Sequence, residues 1–128
     1  MPEFLTLEDV LELHAGQIKN YGGSEGLRSS DLLQSAIAQP WVTFGGQFLH
    51  TDIYQMAAAY LFHLVQNHPF IDGNKRIGLE AALVFLELNG QSIEADDEQL
   101  VEIVLGVSRG HIDKTQIAEF FRNHAVTP

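Results

Sequence analysis

Between His68 and Arg76 the chain gathers an imidazole, a carboxylate, a glycine, an amide and two cations within nine residues. An imidazole titrates near neutral pH and can take the proton of an attacking hydroxyl, which makes His68 a candidate general base. Asp72 is a hard oxygen ligand of the kind magnesium takes one or two at a time, completing its shell with phosphate oxygens and water. Gly73 lets the backbone approach a ligand closely. Lys75 offers phosphate a point charge, and Arg76 offers a planar fork. Asn74 joins them as a polar neighbour on the same turn. Phosphoryl transfer asks for little beyond an oriented nucleophile, a metal and charge clamps. An ordinary capped loop between helices would account for any one of these residues. It does not account for their concentration in a chain with seven lysines and arginines in all.

Two helices must hold this segment. Pro69 ends the first, because the residue before a proline is pushed out of the α region. That helix starts at Thr51 or Asp52 and runs to about Asn67. Asp72 and Gly73 turn the chain, and the second helix runs from Asn74 or Lys75 to about Asn89, with Gly90 capping its end. The first N–H groups of a helix lack partners and sit at the positive end of its dipole, a ready anion site. Lys75 and Arg76 fall in that first turn, where the dipole disfavours cations, and a bound anion would remove the conflict. Ile53, Ala57, Tyr60, Leu61 and Leu64 stripe the first helix, while Met56, Ala58, Phe62 and Val65 fill much of the rest. Ile77, Ala81, Val84 and Leu88 do the same for the second, with Leu79, Leu83 and Leu86 on another face. Helices apolar nearly all round are buried ones, so this pair is expected at the centre, as a rigid mount for the loop. Phe70 is the apolar pin holding the loop to the core.

The run His68-x-Phe70-x-Asp72-Gly73-Asn74-Lys75-Arg76 resembles the signature of the Fic/Doc superfamily, in particular its Doc (death-on-curing) branch. Gly22-Gly23-Ser24-Glu25-Gly26-Leu27-Arg28, Leu32-Leu33-Gln34-Ser35-Ala36 before Pro40, Ala57-Ala58-Ala59-Tyr60-Leu61 and Phe85-Leu86-Glu87-Leu88-Asn89-Gly90 also look like Doc flanking sequence. The resemblance implies an all-α bundle around a central helix-loop-helix with a short β-hairpin flap, a single domain over residues 1–128. It also implies His68, Asp72, Lys75 and Arg76 as catalytic residues, Gly73, Asn74, Lys75 and Arg76 around the phosphates of ATP, and Mg2+ on Asp72. The flap would be Thr43, Phe44, Gly45 and Gly46, where an extended target segment can add as a strand. AMP-transferring Fic enzymes usually carry glycine where this chain has Lys75, and a second arginine where it has Leu79. Doc-type toxins bind ATP reversed and present the γ-phosphate, so the resemblance implies a kinase for a threonine of elongation factor Tu, neutralised by an antitoxin of the Phd type. AMP transfer on the same site, and a catalytically silent binding module, are the alternatives. Ser24-Glu25-Gly26 has the wrong spacing for the inhibitory motif of some Fic proteins, so inhibition in trans is expected.

The remaining elements follow from caps and periodicity. Thr6 to Tyr21 reads as a helix with a Thr6/Asp9 capping pattern, stopped by Gly22-Gly23. His14 on its apolar face is expected at the edge of the core, making a hydrogen bond. Ser29 or Ser30 caps a short helix that closes before Pro40. Trp41 to Leu49 is the one stretch with strand character, a hairpin turning at Gly45-Gly46. Asp96 with Gln99, and Asp113, cap two last helices. His50, His111 and His124 lack partners at ligand spacing, and His63 is not paired with His68. With no cysteine there is neither a disulfide frame nor a thiolate metal site. A net charge of −10 argues against a nucleic-acid surface. No signal peptide or membrane-spanning run is evident, so the expected location is the cytoplasm.

Overall fold

The architecture is that of six helices and two small two-stranded ladders, mostly α with a short hairpin. The computed structural model describes residues 1–128. Helix α1 spans Leu7–Tyr21, and its start is fixed locally. Thr6 Oγ1 accepts from the Asp9 amide at 3.1 Å, and Asp9 returns a carboxylate oxygen to the Thr6 amide at 2.8 Å. Helix α2, Ser30–Ala38, is capped by Ser29 and runs into a 3-10 turn at Gln39–Trp41. Strands β1, Thr43–Phe44, and β2, Gln47–Phe48, pair antiparallel across Gly45 and Gly46. Both glycines have positive φ (60° and 83°), as a tight two-residue hairpin turn requires. Trp41 therefore belongs to the turn before the hairpin and not to the strand.

Helix α3, Ile53–Asn67, begins at the Asp52 cap and forms the axis of the molecule. Ala57, Ala58, Ala59, Tyr60 and Leu61 are wholly buried, so consecutive residues are covered on every side, as the all-round apolar pattern requires. Helix α4, Asn74–Leu88, lies along it in the most extensive packing in the structure. Gly78 is a point of close approach between the two. A Cβ there would meet Val65 Cγ2 at 2.9 Å and the Leu61 carbonyl oxygen at 3.2 Å. Helices α5, Asp97–Ser108, and α6, Lys114–His124, each start with a reciprocal cap, Asp96 with Gln99 and Asp113 with Gln116. Val104, Val107, Ile117 and Phe121 complete a buried apolar cluster of 23 residues.

Besides Trp41, the fold departs from the sequence expectation in a second strand pair. The hairpin is not the only extended structure, because β3, Ser92–Ile93, pairs antiparallel with β4, Ala125–Val126. Two-residue strands leave no alternation to read, and their partners are far apart in the chain, so this ladder exists only through the packing of α6. No helix is long and apolar enough to cross a membrane.

Candidate active site

The loop between α3 and α4 is held from three directions. His68 ends α3 in the left-handed region (φ 50°, ψ 53°) and is the only non-glycine residue with positive φ. That conformation costs roughly 1–2 kcal/mol for an L-residue, and such outliers cluster at functional sites. Arg28 holds it in place: its Nε donates to the His68 carbonyl at 2.6 Å and its Nη2 to the Asn67 carbonyl at 2.8 Å. A guanidinium here also serves the negative end of the α3 dipole. The Arg28 and Ser29 amides donate to the Pro69 carbonyl, and the Ile71 amide donates to Gly26. The segment after α1 is thus laid along the loop as a strap.

From below, Phe70 is 1% exposed and its ring stacks on His14, with centroids 3.7 Å apart and planes 10° from parallel. His14 Nε2 donates to the Asp72 carbonyl at 2.8 Å. From within, the buried Asn74 amide turns back on the loop. Its Oδ1 accepts from the Phe70 amide and its Nδ2 donates to the Phe70 carbonyl, both at 2.9 Å. The side chain of Asn74 is therefore committed to the loop, and what this residue offers a ligand is its backbone N–H. Gln17 ties α1 to α4 by donating to the Arg76 carbonyl and to Glu80 Oε1, each at 3.1 Å.

The result is a cavity of about 500 Å³ whose wall includes His68, Asp72, Gly73, Lys75, Arg76 and Ser108. The His68 imidazole is exposed and makes no hydrogen bond within the chain. The Asp72 carboxylate is oriented by backbone amides: Oδ1 accepts from Gly73 at 2.9 Å and Oδ2 from Ser24 at 3.2 Å. Gly23 permits this approach, since a Cβ there would lie 2.8 Å from Asp72 Oδ2. At the start of α4 the amides of Asn74, Lys75 and Arg76 have no acceptor. The Arg76 guanidinium lies 5.1 Å from the centre of the Tyr21 ring, an exposed cation–π contact that steers it over the cavity rim. Three unpartnered N–H groups, the positive end of a helix and two cations face one space, and such an arrangement binds anions.

A single carboxylate suits a magnesium ion whose other ligands are phosphate oxygens and water. Asp72 fits that requirement, because each of its oxygens keeps lone pairs beyond the one amide it accepts. No cluster of three acidic or imidazole groups exists elsewhere to hold a metal.

A family model described as the Fic/DOC family matches residues 4–86, from before α1 to the last turns of α4. The chain belongs to the Fic/DOC family. It is 42% identical over 96 residues to a protein named Toxin Doc from Mycolicibacterium smegmatis, covering 75% of this chain and 72% of that one. It is 30% identical over 115 residues to a protein named Protein kinase doc from Escherichia phage P1, covering 90% of each. The family match thus contains the whole loop, the strap and the hairpin.

The flap residues are not part of the cavity wall. Thr43, Phe44, Gly45 and Gly46 lie apart from it, with Phe44 84% exposed, and Thr43 lines a separate apolar groove with Phe4, Trp41 and Phe48. The hydrogen bond expected of His14 is found, but the partners of several supports could not be read from the sequence. His14, Gln17, Ser24 and Arg28 reach the loop across 40 to 59 residues of chain. The only sequence trace is a histidine and a glutamine on the apolar face of α1, where polar side chains must find buried partners.

Proposed function

We propose that this protein is a Doc-type toxin that transfers the γ-phosphate of ATP to a threonine hydroxyl of elongation factor Tu and so halts translation. The observation that carries the reading is Lys75 at the first turn of α4, beside three acceptor-less amides and across one cavity from the unengaged His68 imidazole. In this reading the His68 imidazole takes the hydroxyl proton as the oxygen attacks the γ-phosphorus, and the bond to the bridging oxygen breaks to release ADP. The amides of Asn74, Lys75 and Arg76, with the Lys75 ammonium and Arg76 guanidinium, stabilise charge on the transferring group without reorganising. Gly73 supplies the close backbone approach. Asp72 would hold Mg2+, which when bound neutralises phosphate charge. Phe70 and Asn74 keep the loop rigid. An extended target segment would dock along the hairpin at Thr43–Gly46, and an antitoxin of the Phd type would neutralise the toxin in trans.

Support for phosphate over adenylate comes from Lys75 itself, which puts a full cation where a glycine would leave room, and from Leu79, which removes a second arginine from the phosphate side. The relative named a protein kinase agrees with this choice. The test is intact-mass spectrometry of elongation factor Tu after incubation with the protein, magnesium and ATP, beside a His68→Ala control. Added phosphate, absent from the control, is expected. Added adenylate would overturn the argument from Lys75 and Leu79, and no added mass would overturn elongation factor Tu as target.

A further inference from the structure

Outside the cavity at the loop, three basic side chains far apart in the chain are brought together. Lys114, the first residue of α6, places its Nζ 3.0 Å from His63 Nε2 on α3 and 3.3 Å from His50 Nε2 in the segment before α3. No carboxylate joins them. Asp52 is paired with Arg122 at 2.9 Å, and Asp113 spends its carboxylate on the Gln116 amide. The ammonium is left with two neutral imidazoles and the face of Phe62, 5.8 Å from its centre. Beside it opens a cavity of about 240 Å³ lined by His50, Gln55, Lys114, Thr115, Ala118 and Arg122.

We propose that Lys114 is a modification site, an amine set up to be acylated by a small acyl phosphate. The arrangement suits the neutral amine better than the ammonium. A neutral amine has two N–H bonds and one lone pair, and the two imidazole Nε2 atoms can accept both N–H bonds. The lone pair then takes the third tetrahedral direction, on the side of the cavity. An ammonium in the same place would present its third N–H there without a carboxylate to receive it, at the start of a helix where the dipole opposes a cation. Burial pushes the Lys114 amine below the ordinary lysine range. Burial first, and the facing Lys114 second, hold both His63 and His50 below the usual imidazole range, His63 at about 4, so that both rings stay neutral acceptors. Nδ1 of His50 is buried without a hydrogen-bond partner, and Nε2 is the ring nitrogen that faces Lys114.

The step balances simply. Nζ attacks the acyl carbon and an N–C bond forms. The C–O bond to phosphate breaks, and phosphate leaves with the electron pair. The nitrogen sheds one proton to water in the cavity while its remaining N–H stays donated to His63 Nε2. Arg122, on the cavity wall, gives only its Nη2 to Asp52, and its remaining N–H groups draw an anionic donor and receive the leaving phosphate.

The chain provides its own references, since Lys19 and Lys75 are its only other lysines. The full-length protein is treated with acetyl phosphate near neutral pH, and acetylation of the three lysines is timed by peptide mass spectrometry. Lys114 should react several-fold faster than Lys19. In His63→Leu that advantage should vanish, and in His63→Gln, which keeps an acceptor and guards against misfolding of the leucine variant, it should be largely retained. Arg122→Gln should slow the reaction with acetyl phosphate while leaving that with neutral 4-nitrophenyl acetate unchanged. A Lys114 no faster than Lys19, or an advantage that survives His63→Leu, would overturn the proposal. Equal slowing of both donors by Arg122→Gln would overturn the choice of an acyl phosphate.

Discussion

Asn74 offers the sharpest separation of loop support from ligand contact. Its amide is 4% exposed as a residue and makes a matched pair of 2.9 Å hydrogen bonds to the amide and carbonyl of Phe70, which is itself buried. Asn74→Ala leaves both backbone groups without partners, and each orphaned buried group costs about 1–3 kcal/mol. Water reaches this site through the adjoining cavity, so the sum is expected near the lower end, about 2–4 kcal/mol of global stability. That is a large share of the 5–15 kcal/mol that typical domains possess. Urea unfolding followed by circular dichroism should show a lower midpoint with an unchanged slope. Asn74→Asp keeps an acceptor for the Phe70 amide but sets a carboxylate oxygen against the Phe70 carbonyl, so it should rescue little. Binding of inorganic tripolyphosphate, measured by calorimetry under conditions where the variant is folded, should persist in weakened form, because the backbone N–H of residue 74 remains. A variant as stable as the parent yet blind to tripolyphosphate would refute the reasoning and make the Asn74 side chain a ligand contact.

Three further outcomes follow from the packing. Arg28→Ala frees the Asn67 and His68 carbonyls and the strained His68 backbone, so it should lower phosphoryl transfer at least tenfold while costing only about 1–2 kcal/mol of stability, and Arg28→Lys should not restore the two-point contact; unchanged turnover in the alanine variant would refute this. Gly78→Ala should destabilise by about 1–3 kcal/mol in thermal unfolding, although alanine gains about 1 kcal/mol in helix propensity, because its Cβ meets the Leu61 carbonyl oxygen and Val65. His63 is neutral in the fold down to about pH 4, whereas in the unfolded chain it takes a proton near pH 6.5, so stability complete above pH 6.5 should fall as pH drops towards 4. With allowance for solvent at a half-buried ring the loss is about 1–2 kcal/mol, and His63→Gln should flatten that part of the stability profile measured by urea titration.

The grouping of the candidate site side chains was legible because it is local. His68, Asp72, Gly73, Lys75 and Arg76 lie within one turn of a loop, Pro69 and Gly73 mark its ends, and a helix start brings its own unpartnered amides. The caps at Thr6, Ser29, Asp52, Asp96 and Asp113 are likewise three-residue events, and each begins its helix where the side chain dictates. Apolar coverage on every side of α3 and α4 was enough to place those helices at the centre. Tertiary structure decided which remote polar groups serve the loop. Arg28, His14 and Gln17 are ordinary residues of a strap and a helix until the chain folds back 40 to 59 positions and gives them backbone carbonyls to hold. The hydrogen bonds of Asn74 turned its side chain inward, a choice that polarity alone leaves open. The same folding brought Lys114 to His50 and His63 across 64 and 51 residues, a contact no spacing rule contains. Sequence fixes what short-range geometry can reach, and long-range packing assigns partners to whatever polar groups remain.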